Sequence, residues 1–408
     1  MPESYTDSYV EVDNKSLEER VNMKILFLLN RFPGIGGIEN ITSLLAYEFK
    51  SELHHETMIF SVIQQESVPI PIKLINTDIP VIVAGQETPK QVIEKFQQCL
   101  ACFAPDIIIF QDSYAEIEYL LDYVDAKIKL YTVEHSCPNS LLKDYIWRWK
   151  RHNFFSIGGA IRKLIFPFVY TMIWCHQRVR HRYLIKKSNK YILLSESYIG
   201  VLKNCYKLVS DKVISVPNIK NELEEVVDLD LEFKEKQVLF VGRLSKEKGL
   251  DLLIDIWSEI ETRFDDYRLI IVGDGVERDT LMEYIARYEL KHVSIEGFKT
   301  DVSQYYKKSS ILLMTSIFEG FPLVIPEAMT YGVIPFAYNT FPSIYDVIED
   351  KVDGFIIDSF DKVKYVDSIV NFIEMNTSSI IEMRKSASRH SDIFSKANVL
   401  KTWAKILK

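Results

Sequence analysis

The stretch SILLMTSIFEGFPLVIPEAMTYG, residues 310–332, contains the structural unit from which the chain is built. Its first seven residues, 310–316, form an apolar run that predicts a buried strand. Glu319 follows in a turn, and Pro322 marks the start of a helix that carries Glu327. A strand, a short turn and a helix in this order predict one step of a parallel sheet covered by helices.

The same alternation of short apolar runs and amphipathic stretches extends along the chain from Lys24. In the first half, strands are predicted at 24–30, 56–63, 106–113, 127–136, 190–197 and 212–218. In the second half, strands are predicted at 237–242, 267–273, 292–298, 310–316, 333–339 and 354–358. Their continuous apolar character is typical of strands buried on both faces. The sequence therefore predicts two Rossmann-like, doubly wound α/β domains that face each other across a cleft.

Length and composition agree with this organisation. A chain of 408 residues with 47% hydrophobic residues suggests two or three globular domains, at about 150 residues each. The formal charge of −8 disfavours a nucleic-acid partner. Five cysteines, an odd number, favour a reducing, cytoplasmic compartment over a disulfide framework. Cys99 and Cys102 form a CxxC within the amphipathic run 91–103, and core packing is the favoured interpretation over metal or redox use.

Composition also sets the predicted domain limits. Residues 1–22 hold six acids, two bases and no apolar run, which predicts a flexible tail without a signal sequence. The first domain is predicted at 23–218 and the second at 219–390. The acidic stretch 221–236 is interpreted as the connection between them.

The candidate binding residues follow the ends of predicted strands, where ligands bind in sheets of this kind. In FVGRLSKEKGLDLLI, residues 240–254, Arg243 and Lys248 emerge between a strand and a helix. A guanidinium fork and an ammonium group suit a diphosphate. An ordinary solvated turn is the alternative.

Glu319 and Glu327 are two acids in an otherwise apolar stretch. A carboxylate accepts hydrogen bonds from hydroxyl groups, so Glu327 is a candidate to bind a ribose diol and Glu319 a second sugar. The N-terminus of the intervening helix is a candidate phosphate site. The alternative is that Glu319 caps the helix and Glu327 lies on its wet face.

Two glycine-rich loops lack the spacing that a dinucleotide-binding enzyme requires. RFPGIGGIEN, residues 31–40, places its glycines at 34, 36 and 37, and VGDGVERDT, residues 272–280, has no third glycine. Each loop fits either a close approach to a phosphate or sugar or a merely tight turn.

Together these motifs resemble the retaining nucleotide-sugar glycosyltransferases of family 4, whose fold is GT-B. The resemblance is strongest over 237–358, where GRLSKEKG, VGDG, EGF and EGFPLVIPEAMTYG occur in the family's order. It implies that Arg243 and Lys248 hold the donor diphosphate, that Glu327 binds the ribose and that Glu319 binds the transferred sugar. The remaining donor-binding positions that it implies are Gly36, Gly37, Gly242, Phe298 beside the base, Gly320, Phe321, Pro322 and Leu323.

The first half matches the family more loosely. His135 corresponds to the histidine that faces the donor sugar, although Ser136 follows where many members carry aspartate, and a structural histidine is the alternative. Ile219 replaces the glycine of the family's Pro-Asn-Gly. The resemblance further implies that the C-terminal helix, within 391–408, crosses back onto the first domain.

The resemblance also implies the reaction. The sugar is transferred with retention of configuration, without metal or cofactor, and a donor phosphate oxygen takes the acceptor's proton in place of a protein base. UDP is the preferred carrier because it is the family's commonest. The expected role is synthesis of a cell-surface polysaccharide or glycolipid. The alternatives are a nicotinamide-dependent oxidoreductase and a catalytically decayed nucleotide-sugar-binding or membrane scaffold protein.

Residues 143–190 differ from the rest of the chain, with twelve Lys and Arg, one acid and interleaved Trp and Phe. The uncharged run 164–175 is too short to span a bilayer, which needs about 20 residues. Basic and aromatic residues suit the surface of an anionic membrane, which predicts a lipid-linked or lipopolysaccharide-type acceptor at the cytoplasmic membrane face. A helical hairpin packed on the first domain is the alternative, and nucleic acid is the weakest.

Overall fold

The computed structural model describes residues 22–34, 36–65, 68–85, 87–112, 117–150, 157–221 and 231–408. The predicted N-terminal tail lies outside the described residues except for Asn22. Most of the predicted acidic connection, residues 222–230, and residues 151–156 of the basic segment also lie outside them.

The first half of the chain forms a parallel sheet with strand order β3-β2-β1-β4-β5-β6-β7. Its strands are β1 (Lys24–Arg31), β2 (Glu56–Ile63), β3 (Val81–Val83), β4 (Ile107–Asp112), β5 (Lys129–Glu134), β6 (Lys190–Leu193) and β7 (Val213–Ser215). Its helices are α1 (Gly37–Ser51), α2 (Ile72–Asn76), α3 (Pro89–Phe103), α4 (Ser140–Lys150), α5 (Ile157–Lys187) and α6 (Glu196–Tyr206). Separate apolar clusters cover the two faces of the sheet, as the continuous apolar strands require.

The second half forms a parallel sheet with strand order β10-β9-β8-β11-β12-β13. Its strands are β8 (Gln237–Val241), β9 (Arg268–Val272), β10 (Val293–Gly297), β11 (Ile311–Met314), β12 (Ile334–Tyr338) and β13 (Phe355–Ile357). The helices are α7 (Leu250–Arg263), α8 (Arg278–Arg287), α9 (Ser303–Lys308), α10 (Val324–Thr330), α11 (Ile344–Val347), α12 (Lys362–Ile373), α13 (Thr377–Ser391) and α14 (Lys396–Leu407). Two doubly wound α/β sheets confirm the predicted fold class.

All the predicted strands are present, with ends that differ by a few residues. The strand β3 was not predicted; its three half-buried residues form the edge of the first sheet. The strand predicted at 190–197 is too long, because α6 begins at Glu196. The apolar run extends one residue past the last ladder residue, to buried Leu194, and ends at Ser195.

Each sheet has one point where the strand order reverses, between β1 and β4 in the first and between β8 and β11 in the second. In open α/β sheets, ligands bind beyond the carboxyl ends of the strands at this point. The loops after β8 and β11 contain Lys248 and Glu319, respectively. The fold therefore brings together two motifs that lie 71 positions apart in the sequence.

The last helix, α14, packs on the first domain. Trp403 is buried there, and its ring centroid lies 5.4 Å from that of Phe49 in α1. The Tyr131 hydroxyl of β5 donates a hydrogen bond to the Ile406 carbonyl at 3.0 Å. Since the chain enters the second sheet before it reaches α14, this helix ties the two halves together.

The helix α3 places Cys99 of the CxxC in the core and leaves Cys102 exposed. Thr88 caps the helix and exchanges hydrogen bonds with Gln91 in a capping box, and Pro89 occupies the first turn. Val92, Phe96 and Cys99 then recur at helical spacing on the buried face. Burial raises the pKa of the Cys99 thiol to about 11. A thiol in this state is a poor nucleophile and metal ligand.

Gly249 joins the β8 loop to α7 in a conformation that only glycine adopts without strain. Its φ is +63°, and a Cβ built there would lie 2.4 Å from the Thr315 carbonyl oxygen. We expect Gly249→Ala to lower the free energy of unfolding by about 2 kcal/mol or more, since the left-handed conformation alone costs about 1–2 kcal/mol.

Gly200→Ala is the matched control, because Gly200 lies within α6 and a Cβ there would meet no atom within 4 Å. This change should leave stability unchanged or raise it, since alanine is the better helix former. Urea unfolding of both variants checks the pair. An unchanged midpoint for Gly249→Ala would contradict the strain argument.

The basic segment forms a hairpin of α4 and α5. Phe166 of α5 stacks on Tyr145 of α4 at 5.2 Å between ring centroids, and packs against Trp149 at 4.5 Å with the rings tilted. Further along α5, the Trp174 indole donates a hydrogen bond to the Cys205 carbonyl of α6 at 2.9 Å. Part of the aromatic content therefore packs inside the protein, as in the hairpin alternative. No described helix is both long and apolar enough to cross a bilayer.

Candidate functional site

The pair of Lys248 and Glu319 forms the centre of the candidate site. Lys248 Nζ lies 2.5 Å from Glu319 Oε1, and the two side chains are 19% and 14% exposed. Lys248 ends a short 3-10 turn after β8, and the Thr315 hydroxyl at the end of β11 donates a hydrogen bond to its carbonyl at 2.9 Å. The strand ends therefore fix both sides of this ion pair.

Arg243 lies in the same loop but is much more exposed, at 73%. Its guanidinium is 2.9 Å from the Glu247 carboxylate, which also accepts a hydrogen bond from the Ser245 hydroxyl at 2.6 Å. Burial opposes ionisation of Glu247, but the hydrogen bonds from Ser245 and Arg243 outweigh it and lower the pKa of this carboxyl. Arg243 is thus an exposed cation at the mouth of the site, with an ionised partner.

The turn after Glu319 makes the contact between the domains. A Cβ built on Gly320 would lie 2.3 Å from the His135 carbonyl oxygen, so this position must be glycine for the domains to meet as they do. The Tyr198 hydroxyl of α6 donates a hydrogen bond to the Gly320 carbonyl and lies 3.3 Å from the Glu319 carbonyl oxygen. Phe321 packs against the apolar clusters of both domains.

The other predicted positions of this turn are also packed against protein. Pro322 is buried, and its carbonyl accepts a hydrogen bond from the Ile325 amide at 3.0 Å. Leu323 contacts the core of the first domain. The helix α10 begins at Val324, two residues after the predicted start, and is seven residues long.

Glu327 is almost fully buried, at 6% exposure, and not on a wet helix face. Its Oε1 accepts a hydrogen bond from the Asn221 amide at 2.7 Å, and its Oε2 accepts one from the Tyr306 hydroxyl at 3.2 Å. Burial raises the pKa of this carboxyl to about 7, against the opposing effect of these hydrogen bonds. Because Asn221 is itself exposed, it is the partner that a ribose diol would displace.

His135 turns its side chain into the first domain. Its Nε2 lies 2.5 Å from Gln111 Oε1, and it lines a separate small cavity with Ile219 and Trp403. Burial lowers the pKa of the imidazole to about 4, so it is neutral at pH 7. The structure therefore brings the backbone of His135, not its side chain, to Gly320.

The glycine loop after β1 is filled by a side chain of its own helix. Glu39 lies against Gly34 and Gly36, where a Cβ would meet its carboxylate at 3.0 Å and 2.3 Å. The Arg31 guanidinium pairs with this buried carboxylate at 2.7 Å. These glycines make room for Glu39, whereas a Cβ on Gly37 would meet no atom within 4 Å.

The glycines after β9 serve to pack one loop on another. A Cβ on Gly273 would lie 1.8 Å from the Gly242 carbonyl oxygen, and one on Gly275 would lie 2.3 Å from that of Leu244. Gly242 is placed by a hydrogen bond from its amide to the Val272 carbonyl at 3.0 Å. The loop after β9 therefore packs directly against the loop that carries Arg243.

Phe298 directly follows β10 and is 68% exposed. In the described structure it does not line the cleft that contains Glu319. The structure thus groups Arg243, Lys248, Glu319 and Gly320, and leaves Phe298, Glu327 and His135 outside this group.

The cleft between the domains, called here the inner cavity, has a volume of about 390 Å³. The second domain contributes Arg243, Glu247, Lys248, Phe318, Glu319 and Gly320, and the first domain contributes Ser136, Cys137, Ser140, Leu141, Asp144 and Arg148. Cations and carboxylates line it in pairs, including Arg148 with Asp144 at 2.9 Å. Such a surface can neutralise a diphosphate with its cations and hydrogen-bond hydroxyl groups with its carboxylates.

Several contributors were not foreseen from the sequence. Tyr198 and Lys143 connect the domains, the latter through a hydrogen bond from its ammonium group to the Thr340 carbonyl at 2.9 Å. Asn221 and Tyr306 hold Glu327. A single tyrosine or asparagine carries no sequence signal for such contacts, since its partner is far away in the chain.

Residues 223–391 match the family described as glycosyl transferases group 1. The second half of the chain is therefore similar to the group 1 glycosyltransferases. The match covers the Arg243 loop, the β11 turn and α10, and so contains the part of the site that the second domain contributes.

Similarity to curated relatives extends beyond the second half of the chain. An uncharacterized glycosyltransferase of Haemophilus influenzae is 27% identical over 314 residues, which cover 70% of this chain and 86% of the relative. The amylovoran biosynthesis glycosyltransferase AmsD of Erwinia amylovora is 29% identical over 204 residues, about half of each protein (50% and 53%).

Comparison with solved structures confirms the GT-B fold. Anabaena HepE in complex with UDP superposes with a TM-score of 0.68 at 18% identity, covering 94% of this chain and 99% of HepE. At this level of identity the likeness establishes the fold of both domains, and the chemistry must be argued from the site.

Proposed function

We propose that the protein is a retaining glycosyltransferase that moves a sugar from a nucleotide-sugar, preferably a UDP-sugar, to a glycan or lipid-linked saccharide. The observation that carries the proposal is the Lys248–Glu319 pair at the reversal point of the second sheet, facing the first domain. It offers a cation and a sugar-binding carboxylate side by side, as a phosphorylated sugar requires.

Lys248 and Arg243 neutralise the diphosphate in this proposal. Each now pairs with a carboxylate, so a donor exchanges these contacts for its phosphate oxygens. Charge that develops on the leaving diphosphate then meets preorganised cations in a partly dry cleft, where their stabilisation is greatest. No metal or cofactor is required for this role.

Glu319 binds hydroxyl groups of the transferred sugar. When Lys248 turns to the phosphate, the Glu319 carboxylate is released at the place where the sugar attached to that phosphate lies. Each charge-assisted hydrogen bond of this kind contributes about 1.5–3 kcal/mol. The pair therefore couples phosphate binding to sugar binding.

The reaction proceeds on one face of the sugar. The acceptor hydroxyl oxygen forms a bond to the anomeric carbon as the bond from that carbon to the phosphate oxygen breaks, and the hydroxyl proton passes to the leaving phosphate. The geometry of His135 supports a mechanism without a protein base, because its side chain is buried with Gln111.

The relatives support the choice of donor and product class. HepE was crystallised in complex with UDP, and AmsD is described as a glycosyltransferase of amylovoran biosynthesis. By analogy we place this protein in the synthesis of a cell-surface polysaccharide or glycolipid, with a UDP-sugar donor.

A thermal-shift panel of UDP-, GDP-, ADP- and dTDP-sugars tests the donor. At 100 times its dissociation constant, the correct donor should stabilise the protein by about 2.7 kcal/mol. NADH serves as the comparator. Stabilisation by NADH alone would favour the oxidoreductase. No thermal shift with any of the nucleotide sugars would overturn the proposed function.

The acceptor side includes an anionic membrane surface at the cytoplasmic face. An exposed stripe runs along α5 at helical spacing, with apolar residues followed by two bases. It comprises Leu164, Phe168, Met172, Cys175 and Val179, followed by Arg182 and Lys186. Leu164 and Phe168 are 82% and 74% exposed. This arrangement fits a helix that lies in the headgroup region, with its bases on anionic lipids.

We expect Phe168→Glu to reduce binding to phosphatidylglycerol vesicles at least about tenfold, because burial of one such side chain contributes about 1.5–3 kcal/mol. Val363→Glu is the matched control, since Val363 is an exposed residue of α12 in the second domain. Cosedimentation at low salt measures both. Equal binding by the two variants, or no binding of the unaltered protein, would refute membrane association through this stripe.

A further inference from the structure

A second and larger cavity adjoins the inner one. This outer cavity has a volume of about 720 Å³ and lies between α4 of the first domain and the N-terminal parts of α7 and α8 of the second. It shares Asp144, Arg148, Glu247 and Phe318 with the inner cavity. Its volume lies within the range of about 300–1,000 Å³ that is typical of ligand sites.

The outer cavity combines aromatic faces with hydrogen-bonding groups. Trp147, Tyr284 and Phe318 line it, each half-buried, so that part of each ring remains accessible. Asp251 and Glu277 provide carboxylates on α7 and next to α8. A sugar ring has an apolar face that packs on aromatic side chains and hydroxyl groups that donate to carboxylates. The lining therefore has the chemistry of a saccharide site.

The charge of the lining restricts the kind of saccharide. Four carboxylates line the outer cavity against two cations, Arg148 and Lys246. Arg148 pairs with Asp144 at 2.9 Å, and Lys246 lies 4.0 Å from Glu277. A phosphate or a uronic acid would meet net negative charge here, whereas a neutral sugar would not. Arg243 and Lys248, the cations suited to a diphosphate, line the inner cavity.

We propose that the outer cavity binds the neutral saccharide end of the acceptor, next to the sugar that is transferred in the inner cavity. This inference rests on the proposed function, because it assigns the second substrate of the same reaction. The shared wall residues place the outer cavity next to the inner cavity, which Glu319 lines. Both domains contribute to the site, so it exists only when they are together.

Binding of the protein to an array of neutral and acidic bacterial-type glycans, with UDP present at saturation, tests this assignment. Thr280→Trp places an indole in the outer cavity, because Thr280 lines it. Met282→Trp adds the same group on α8 at an exposed position outside the lining. Tyr284→Ala removes one aromatic face and serves as the second variant if Thr280→Trp does not fold.

We expect the unaltered protein to bind a set of neutral glycans, Met282→Trp to retain this binding, and Thr280→Trp and Tyr284→Ala to weaken it by about tenfold or more. The inference is overturned if the unaltered protein binds no neutral glycan, or if both cavity variants bind as well as Met282→Trp. A thermal shift with the UDP-sugar, measured on each variant, separates the two proposals. A donor shift without loss of glycan binding refutes the outer cavity alone, and a missing donor shift in every variant refutes the proposed function.

Discussion

Transfer activity of Lys248→Ala is expected to fall by about 10²–10³-fold while the protein stays folded. The ammonium group of Lys248 is the more buried of the two site cations, and its loss removes fixed positive charge from the leaving diphosphate. The turnover rate should fall more than donor affinity, because charge on the leaving group is greatest in the transition state. Initial rates of UDP release measure the effect.

The control is Lys236→Ala. Lys236 immediately precedes β8, at the opposite end of the strand from the site, and pairs there with the exposed Asp266. Lys236→Ala should leave the rate of UDP release unchanged. The double variant Lys248→Ala with Glu319→Gln removes the carboxylate that the single variant leaves without its partner. If Lys248→Ala is unstable, the double variant should recover the stability, and its rate is compared with that of Glu319→Gln alone. Equal rates for these two variants would show that Lys248 acts only through stability. Full activity of folded Lys248→Ala would refute the role.

The sequence was sufficient to predict every strand except β3, and to predict that Lys248 and Glu319 follow strand ends. Continuous apolar runs are dictated by burial on both faces, so most strands from Lys24 onward can be identified without a structure, whereas the three half-buried residues of β3 form no such run. Lys248 and Glu319 both follow such strands, and parallel strands place their carboxyl ends at one edge. Sequence therefore specifies which residues reach the edge of the sheet.

The sequence does not specify in which direction each side chain points at that edge of the sheet. His135 follows β5 as predicted, yet its ring is directed to Gln111 of β4 by a hydrogen bond between neighbouring strands. Gly320 and Gly273 were candidates for ligand approach, but each is required by a neighbouring backbone carbonyl. These outcomes depend on packing between segments far apart in the chain, and no local pattern encodes them.

Glu327 shows the largest difference between the sequence prediction and the structure. Its position on the helix was predicted, but its hydrogen-bonded surroundings were not, because Tyr306 and Asn221 belong to segments outside that helix. A carboxyl with both oxygens engaged and little exposure responds to pH differently from a surface acid. That response makes its predicted role testable apart from activity.

We expect Glu327→Gln to be more stable than the unaltered protein at pH 8 but not at pH 5. The pKa of Glu327 is raised from 4.5 to about 7 in the folded protein. Between these values the folded chain binds a proton that the unfolded chain has lost, so the free energy of unfolding falls as pH rises through this window and levels above pH 7. The expected loss is about 3 kcal/mol.

Urea unfolding at pH 5, 6, 7 and 8 measures this difference. Glutamine does not titrate, so the stability of Glu327→Gln relative to the unaltered protein should rise across the series. Glu283→Gln, at an exposed position of α8, should track the unaltered protein at every pH. Parallel curves for Glu327→Gln and the unaltered protein would contradict the burial argument.

The donor affinity of the unaltered protein should rise with pH, whereas its free energy of unfolding falls. A ribose diol donates to the ionised carboxylate in place of Asn221, so affinity of the unaltered protein for the UDP-sugar should rise as pH increases through 7. Glu327→Gln should bind the donor about 10–100-fold more weakly at pH 8, since one charge-assisted hydrogen bond contributes about 1.5–3 kcal/mol. If Glu327→Gln is more stable and yet binds the donor less well, the Glu327 carboxylate serves donor binding and lowers the stability of the folded protein. Increased stability with unchanged donor affinity, measured by calorimetry, would leave Glu327 a buried structural acid and remove it from the site.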